Sequence, residues 1–192
     1  MARRAHPYSG IAEQLAGTEF SSIRYVAETE STNADAARLL GTQRHRGLSI
    51  VAEHQSSGRG RKGRSWLAPP GTSLLVTTIL PRAIETARLW VVPFWVGLAA
   101  RAALAQHGVT TTLVWPNDLL IAGRGKVAGI LCVSRITGDA ARVGCGVGIN
   151  VHRVPGGHDR VEPPPAFCDD LTRVDRAALL LSLLREYDAS LG

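Results

Sequence analysis

Glu53-His-Gln-Ser-Ser-Gly-Arg-Gly-Arg-Lys-Gly-Arg-Ser-Trp66 lies between two apolar runs, Leu48-Ser-Ile-Val-Ala-Glu53 and Ser73-Leu-Leu-Val-Thr-Thr-Ile-Leu80. Both runs read as β-strands, so sheet holds the loop at each end. Gly58, Gly60 and Gly63 are expected to take positive φ and bring the backbone close to a ligand, while Arg59, Arg61, Lys62 and Arg64 offer charge and donors to phosphate oxygens. Trp66 either packs in the core or covers a bound ring. The bland alternative is a solvated basic loop, or an unfolded arm that touches nucleic acid.

Toward the N-terminus, residues 8–18 read as one short helix, and Ile23-Arg-Tyr-Val-Ala-Glu28 alternates as a strand does. Thr29-Glu-Ser-Thr-Asn33 follows, and then a helix from Ala34 to Leu40 that ends at Gly41. Ser31, Thr32 or Asn33 can cap that helix, but three small polar side chains in a row exceed what one cap needs. Toward the C-terminus, Pro81 closes the second strand and Arg88–Gln106 has helical periodicity, with Pro93 tolerable only near the first turn or as a kink. Thr112–Ile121 reads as a strand broken by Pro116, and with Val127–Val133 it forms a hairpin. In the break, Asn117 and Asp118 can be satisfied locally as turn residues. Val143–Val151 is a strand with glycines at 144, 146 and 148, which suits a strand only where something approaches its backbone closely. Arg153–Phe167 has no periodicity, and Val174–Ala189 is a final helix with Asp175 as its N-cap. Strands and helices with hairpins and little alternation make the fold class α+β, a mixed sheet covered mainly on one side by helices.

At 192 residues and 45% apolar content the chain suits a single domain spanning 1–192, with its core at about 22–190. The net charge is +6, and 20 of the 22 basic residues are arginine, so an overall arginine preference accounts for the charge without a polyanionic partner. The two lysines, Lys62 and Lys126, are therefore the more informative. Cys132, Cys145 and Cys168 are widely spaced and indicate neither a disulfide framework nor a zinc site; no residue is assigned to a metal. No apolar segment follows the basic start as a secretory signal requires, and the uncharged run Leu89–Ala100 is too short to span a bilayer. The expectation is a cytoplasmic protein without membrane contact.

Four motifs stand in order: Ser31-Thr-Asn33, Gln55–Trp66, Trp115-Pro-Asn-Asp118 with Lys126-Val-Ala-Gly-Ile-Leu131, and Gly146-Val-Gly-Ile-Asn150. Together they resemble the catalytic domain of biotin protein ligases, the biotin–[acetyl-CoA-carboxylase] ligase family. That resemblance implies a sheet fold like those of lipoate ligases and class II aminoacyl-tRNA synthetases. It also implies a two-step reaction: biotin and Mg-ATP give biotinyl-5′-AMP, and a lysine of a biotin carboxyl carrier domain then takes the biotinyl group. On the family pattern Ser31, Thr32 and Asn33 line the biotin head, with Gln55 bonding the ureido or neighbouring groups. Gly58, Arg59, Gly60 and Arg61 wrap the biotin carboxylate and the phosphates. Trp66 borders the nucleotide, with Arg64, Asn117 and Asn150 assigned to ATP and Arg59, Arg61 and Lys126 to catalysis. ATP, Mg2+ and biotin are then substrates rather than tightly held cofactors, the carrier domain of an acyl-CoA carboxylase is the partner, and a homodimer is possible.

The sequence departs from the pattern at Val114, where the family carries a lysine that bridges carboxylate and phosphate. Losing a charged donor at a developing anion costs ~3–4 kcal/mol, on the order of 10²–10³ in rate. Either Arg61, Lys62 or Lys126 substitutes for it, or adenylation is slow, or the chain is a paralogue that binds without turning over well. There is no room before the domain for a helix-turn-helix, so neither repressor function nor specific DNA binding is expected. The small SH3-like barrel that follows in many members is expected to be absent. The remaining alternatives are a lipoate or octanoate transferase of the same fold, and nucleic-acid binding through the basic loop.

Overall fold

The computed structural model describes residues 6–153 and 163–191. An eight-stranded sheet forms its centre: β1 (Ser22–Thr29), β2 (Leu48–Gln55), β3 (Ser73–Ile79), β4 (Ile84–Glu85), β5 (Thr112–Val114), β6 (Asp118–Ile121), β7 (Gly125–Thr137) and β8 (Ala140–Asn150). The spatial order is β1-β2-β3-β8-β7-β6-β5, with β4 beside β8. Among the described strands only β1 and β2 pair in parallel, because helix α2 (Thr32–Leu39) carries the chain from one to the other; the other strand pairs are antiparallel.

The two faces of the sheet divide the work. Val51, Leu74, Val76, Val143, Cys145, Val147 and Ile149 alternate onto one face and join the main core with helices α1 (Ile11–Gln14), α3 (Val92–Gln106) and α4 (Arg176–Ser190). Helices α3 and α4 lock together where Trp95 stacks on Tyr187 at 4.8 Å and Trp95 Nε1 donates to Ser190 Oγ at 2.8 Å. The opposite face carries α2 alone, seated through Ala36 and Leu40 on Leu48, Ile50 and Ile79. Most of the helical cover thus lies on one side, which leaves the rest of the other face for a site.

Several local expectations change. The α-helix expected over 8–18 is only Ile11–Gln14, bounded by Gly10 and Gly17 at φ 83° and 90°. The helix after Asn33 already begins at Thr32. The long helix opens as a 3-10 segment, Thr86–Val91, which leaves Pro93 in the first turn of α3 where it displaces no backbone hydrogen bond. Together the two make a 21-residue stretch, longer than the Leu89–Ala100 run, that is apolar enough to cross a membrane by length and composition. Its inner residues Val96, Ala100, Ala103 and Leu104 are buried in the main core. Pro116 breaks Thr112–Ile121 so sharply that the halves pair with each other, Val114 opposite Asp118, about a cis Trp115–Pro116 peptide. The result is a three-stranded meander rather than one hairpin. Asp175 caps α4 as expected, accepting from the Ala178 N–H at 2.8 Å. Most of the aperiodic stretch after Arg153, residues 154–162, lies outside the described residues.

Candidate functional site

The face shared with α2 contains a cleft lined by Ser31, Thr32, Asn33, Gln55, Arg59, Gly60, Trp66, Asn117 and Lys126 over a floor from β3, β7 and β8. At its inner end the start of α2 is not capped by its own side chains. Ser31 occupies the N-cap position without a side-chain cap bond, so the capping role open to this segment is not taken up. The polar side chains reach across the sheet instead. Gln55 Oε1 accepts from the Thr32 N–H at 2.8 Å and lies 3.0 Å from Thr32 Oγ1. Asn33 Nδ2 donates to the Leu131 carbonyl at 2.9 Å, and Thr77 Oγ1 lies 2.8 Å from both Asn33 Oδ1 and Thr32 Oγ1. These bonds fix the Asn33 and Gln55 amides before any ligand arrives, so little ordering remains to oppose binding.

Thr77 is fully buried and was not singled out in the sequence. The available signal was Thr77-Thr78 in an otherwise apolar strand: period-two alternation puts one hydroxyl on each face, and a buried hydroxyl needs a partner.

The glycines of β8 have a direct explanation. A Cβ on Gly146 would lie 2.3 Å from Asn33 Oδ1, and one on Gly148 would lie 2.7 Å from Trp66 Cε2. Gly129 on β7 completes this floor, its Cβ position 3.0 Å from Trp66 Cζ3. What approaches the strand closely is therefore the Asn33 amide and the Trp66 indole. Trp66 is half-buried on this floor, and its Nε1–H is shut from solvent without an acceptor among the described residues.

The basic loop is folded back on itself. Arg59 bridges Ser65 in antiparallel fashion, the Gly60 N–H donates to the Arg64 carbonyl at 2.7 Å, and the Trp66 N–H donates to the Gly58 carbonyl at 2.8 Å. Of the three glycines expected at positive φ, only Gly63 takes it, beside Lys62 at φ 56°. Gly58 is required for space, since a Cβ there would meet the Trp66 carbonyl at 2.5 Å, and Gly60 is extended. Arg59 and Gly60 line the cleft. Arg61 donates to Asn117 Oδ1 at 3.3 Å and so ties the loop to the β5–β6 turn. Arg64 and Lys62 are exposed.

At the outer end, Asn117 is not satisfied within its own turn. Its Nδ2 donates to the Ile130 carbonyl at 3.0 Å, while its own carbonyl accepts from the Ile130 N–H at 2.8 Å. Asp118 is engaged across the β6–β7 hairpin, with Oδ1 2.8 Å from Lys126 Nζ, which also sits 5.5 Å from the Trp66 ring centroid. A carboxylate on one side and an aromatic face on the other hold the Lys126 amine in place on the wall of the cleft. Asn150 lies just behind, its Nδ2 3.3 Å from the Lys126 carbonyl and 3.2 Å from that of Ala166. Gly58, Arg61, Arg64 and Asn150 thus surround the cleft without forming its lining. Val114 is 41% exposed and pairs with Asp118, so an apolar side chain flanks the Asp118–Lys126 pair.

Residues 25–150, which contain every residue lining the cleft, match the model of the Biotin/lipoate A/B protein ligase family. This chain belongs to that family. It is 35% identical over 187 residues to the biotin–[acetyl-CoA-carboxylase] ligase of Mycobacterium tuberculosis, covering 91% of this chain and 65% of that protein. It is 31% identical over 189 residues to the bifunctional ligase/repressor BirA of Escherichia coli, covering 94% of this chain and 57% of that one. The chain therefore spans about three fifths of the length of these relatives. Among solved structures, the biotin protein ligase of Aquifex aeolicus in complex with biotin and ATP superposes with a TM-score of 0.69 at 26% identity, covering 87% of this chain and 68% of that one. The Leishmania major ligase with biotin shares the fold at a TM-score of 0.70 and 22% identity. The mixed sheet with its helices is that of biotin protein ligase catalytic domains.

Proposed function

We propose that this chain is an ATP-dependent biotin protein ligase that forms biotinyl-5′-AMP and passes biotin to a lysine of a biotin carboxyl carrier protein. The observation that carries this reading is the convergence, in one cleft, of a pre-bonded amide and hydroxyl cluster with an arginine, a lysine and an indole on a glycine floor. The cluster of Ser31, Thr32, Asn33 and Gln55 suits a small polar ring such as a ureido group, and Leu131 and Leu75 give its apolar parts a surface. Arg59, the Gly60 backbone and Lys126 suit the carboxylate and phosphates at the other end. The buried, unpaired Trp66 N–H marks a place for an acceptor at the nucleotide end.

The chemistry follows from charge. A biotin carboxylate oxygen attacks the α-phosphorus of ATP and pyrophosphate leaves; the carrier amine then attacks the acyl carbon and AMP leaves. Two anions must be held in line for the first step, so the cleft has to neutralise and orient them together, a task for the Arg59 guanidinium and the Lys126 ammonium. Arg61, through Asn117, fixes the loop over the site and keeps water from the adenylate. Among the described residues no group of three His, Cys, Asp or Glu could hold a metal, and magnesium would enter with the triphosphate as part of that substrate.

Val114 favours a second reading, an adenylation-impaired paralogue that holds biotin or biotinyl-AMP. Calorimetric titration of biotin, with and without Mg-ATP, together with pyrophosphate release in the same sample separates the two. Binding with release supports the ligase, and binding without release supports the paralogue. Absence of biotin binding overturns both and directs the titration to lipoate and octanoate.

A further inference from the structure

Cys132 and Cys145 look unrelated in the sequence, yet the β7–β8 hairpin sets them directly opposite one another. The register around them is continuous from Ala128↔Ile149 to Thr137↔Ala140, so alternation along the strand identifies the kind of pair they form. Ile130 directs both its N–H and its carbonyl toward Asn117, away from β8. Cys132, two residues on, therefore also points its backbone groups away from β8, and Cys132–Cys145 is a non-hydrogen-bonded pair. Such pairs hold their Cα atoms about 4.5 Å apart, inside the range of roughly 4.4–6.8 Å that a disulfide spans. Both residues are thiols in the structure; Cys132 is half-buried, and Cys145 is buried in the main core.

We propose that Cys132 and Cys145 are a modification site, a dithiol that closes to a cross-strand disulfide by exchange with a small-molecule disulfide such as oxidised glutathione. The Cys132 thiolate attacks one glutathione sulfur and releases a glutathione thiolate. The Cys145 thiolate then attacks Cys132 Sγ and releases the second. The protein dithiol loses two electrons and two protons, and one glutathione disulfide becomes two glutathione thiols. Cys132 leads because it is the more accessible of the two. Burial and the neighbouring Cys132 thiol push the Cys145 thiol well above its ordinary range, so closure quickens as pH rises.

The site has a route to the cleft. Leu131 and Gly146, the residues next to the two cysteines, form the neighbouring pair on the opposite face, and both lie against the Asn33 amide. A disulfide draws Cβ atoms to about 3.8 Å, closer than an ordinary cross-strand pair, directly beneath that amide. The oxidised chain is thus expected to bind biotin several-fold more weakly, an effect that rests on the proposed function; formation of the bond does not.

The test treats the whole folded chain with oxidised glutathione at mildly alkaline pH, alkylates the remaining thiols under denaturing conditions, and reads intact mass and a non-reducing peptide map. The expected product has lost two hydrogens, carries one alkyl group, on Cys168, and joins the Cys132 and Cys145 peptides. Cys168→Ser should still close, whereas Cys132→Ser and Cys145→Ala should not. Three alkylated thiols, a stable glutathione adduct without an internal bond, or a bond to Cys168 each overturns the proposal. Unchanged biotin affinity in the oxidised form, where the reduced form binds, overturns the coupling to the cleft. Absence of biotin binding in both forms counts against the proposed function and leaves the mass result to decide the modification site.

Discussion

Lys126 Nζ lies 2.8 Å from Asp118 Oδ1, and the pair bridges adjacent strands of the β6–β7 hairpin at the mouth of the cleft. Both side chains are largely buried, at 20% and 16% exposure, so the carboxylate orients the ammonium and removing either partner also leaves a buried charge uncompensated.

Lys126→Ala should therefore slow biotinyl-AMP formation by on the order of 10²–10³, as expected for loss of a donor at a developing anion. Asp118→Asn keeps the lysine but loosens it, and a loss of about tenfold is expected together with a lowered melting temperature, because the largely buried ammonium loses its counter-charge. Pyrophosphate release under saturating biotin and ATP measures both. Equal losses for the two variants would show that Asp118 has a role of its own.

The glycine floor separates the two ends of the cleft. Gly146→Ala forces a methyl against Asn33 and the Leu131 carbonyl, whereas Gly148→Ala forces one against the Trp66 ring. Each should cost about 1–3 kcal/mol of stability by overpacking. Their effects on ligands should split, with Gly146→Ala weakening biotin and Gly148→Ala raising the KM for ATP. Calorimetry with each ligand in turn reads the split, and loss of both affinities in both variants would count against a two-ended cleft.

The pattern of gains and misses in the sequence follows from which interactions are local. Strands such as Leu48–Gln55 were legible from their apolar character, and Asp175 from its position before a helix. The glycines of β8 signalled a close approach but not that Asn33 and Trp66 make it, since both lie far away along the chain. Thr77 was obscured for the same reason, since its partners come from α2 and only the sheet order brings them together, whereas Asp118 meets Lys126 across a hairpin, eight residues on, where Pro116 made a local turn reading available instead. Fifteen apolar-rich residues of α3 were readable, but the 3-10 entry before Pro93 was not, because 3-10 and α turns share similar spacing over so short a run.

Alkaline pH should expose the anchoring of the N-terminal segment. Tyr8 is buried, and burial raises its hydroxyl from 10.0 to about 12, with Glu53, Tyr25 and Asp175 adding to the rise and Arg176 opposing it. The folded value lies above the unfolded one, so this contribution is intact below pH 10 and is lost as pH rises toward about 12. A shift of that size corresponds to no more than roughly 3 kcal/mol. Urea denaturation across that window should fall less steeply for Tyr8→Phe than for the native chain. An identical slope would assign the alkaline loss to Tyr187 and the buried cysteines, whose values burial also raises.

Val114 offers the sharpest test of whether the Lys126–Asp118 pair suffices. Its side chain stands opposite Asp118 on the neighbouring strand and is 41% exposed, so a lysine there would reach the same carboxylate without burying its charge. Two ammonium groups would then share one carboxylate, leaving one of them free for the biotin carboxylate and the phosphates. If the native cleft is short of one cation, Val114→Lys should raise the rate of biotinyl-AMP formation tenfold or more, up to on the order of 10²–10³. Folding should be unaffected, because the position is open to solvent. Single-turnover formation of biotinyl-AMP by the native chain and by Val114→Lys makes the comparison directly. Equal rates would mean that Lys126 and Arg59 already supply all the charge the step requires, and that valine at this position carries no cost in adenylation.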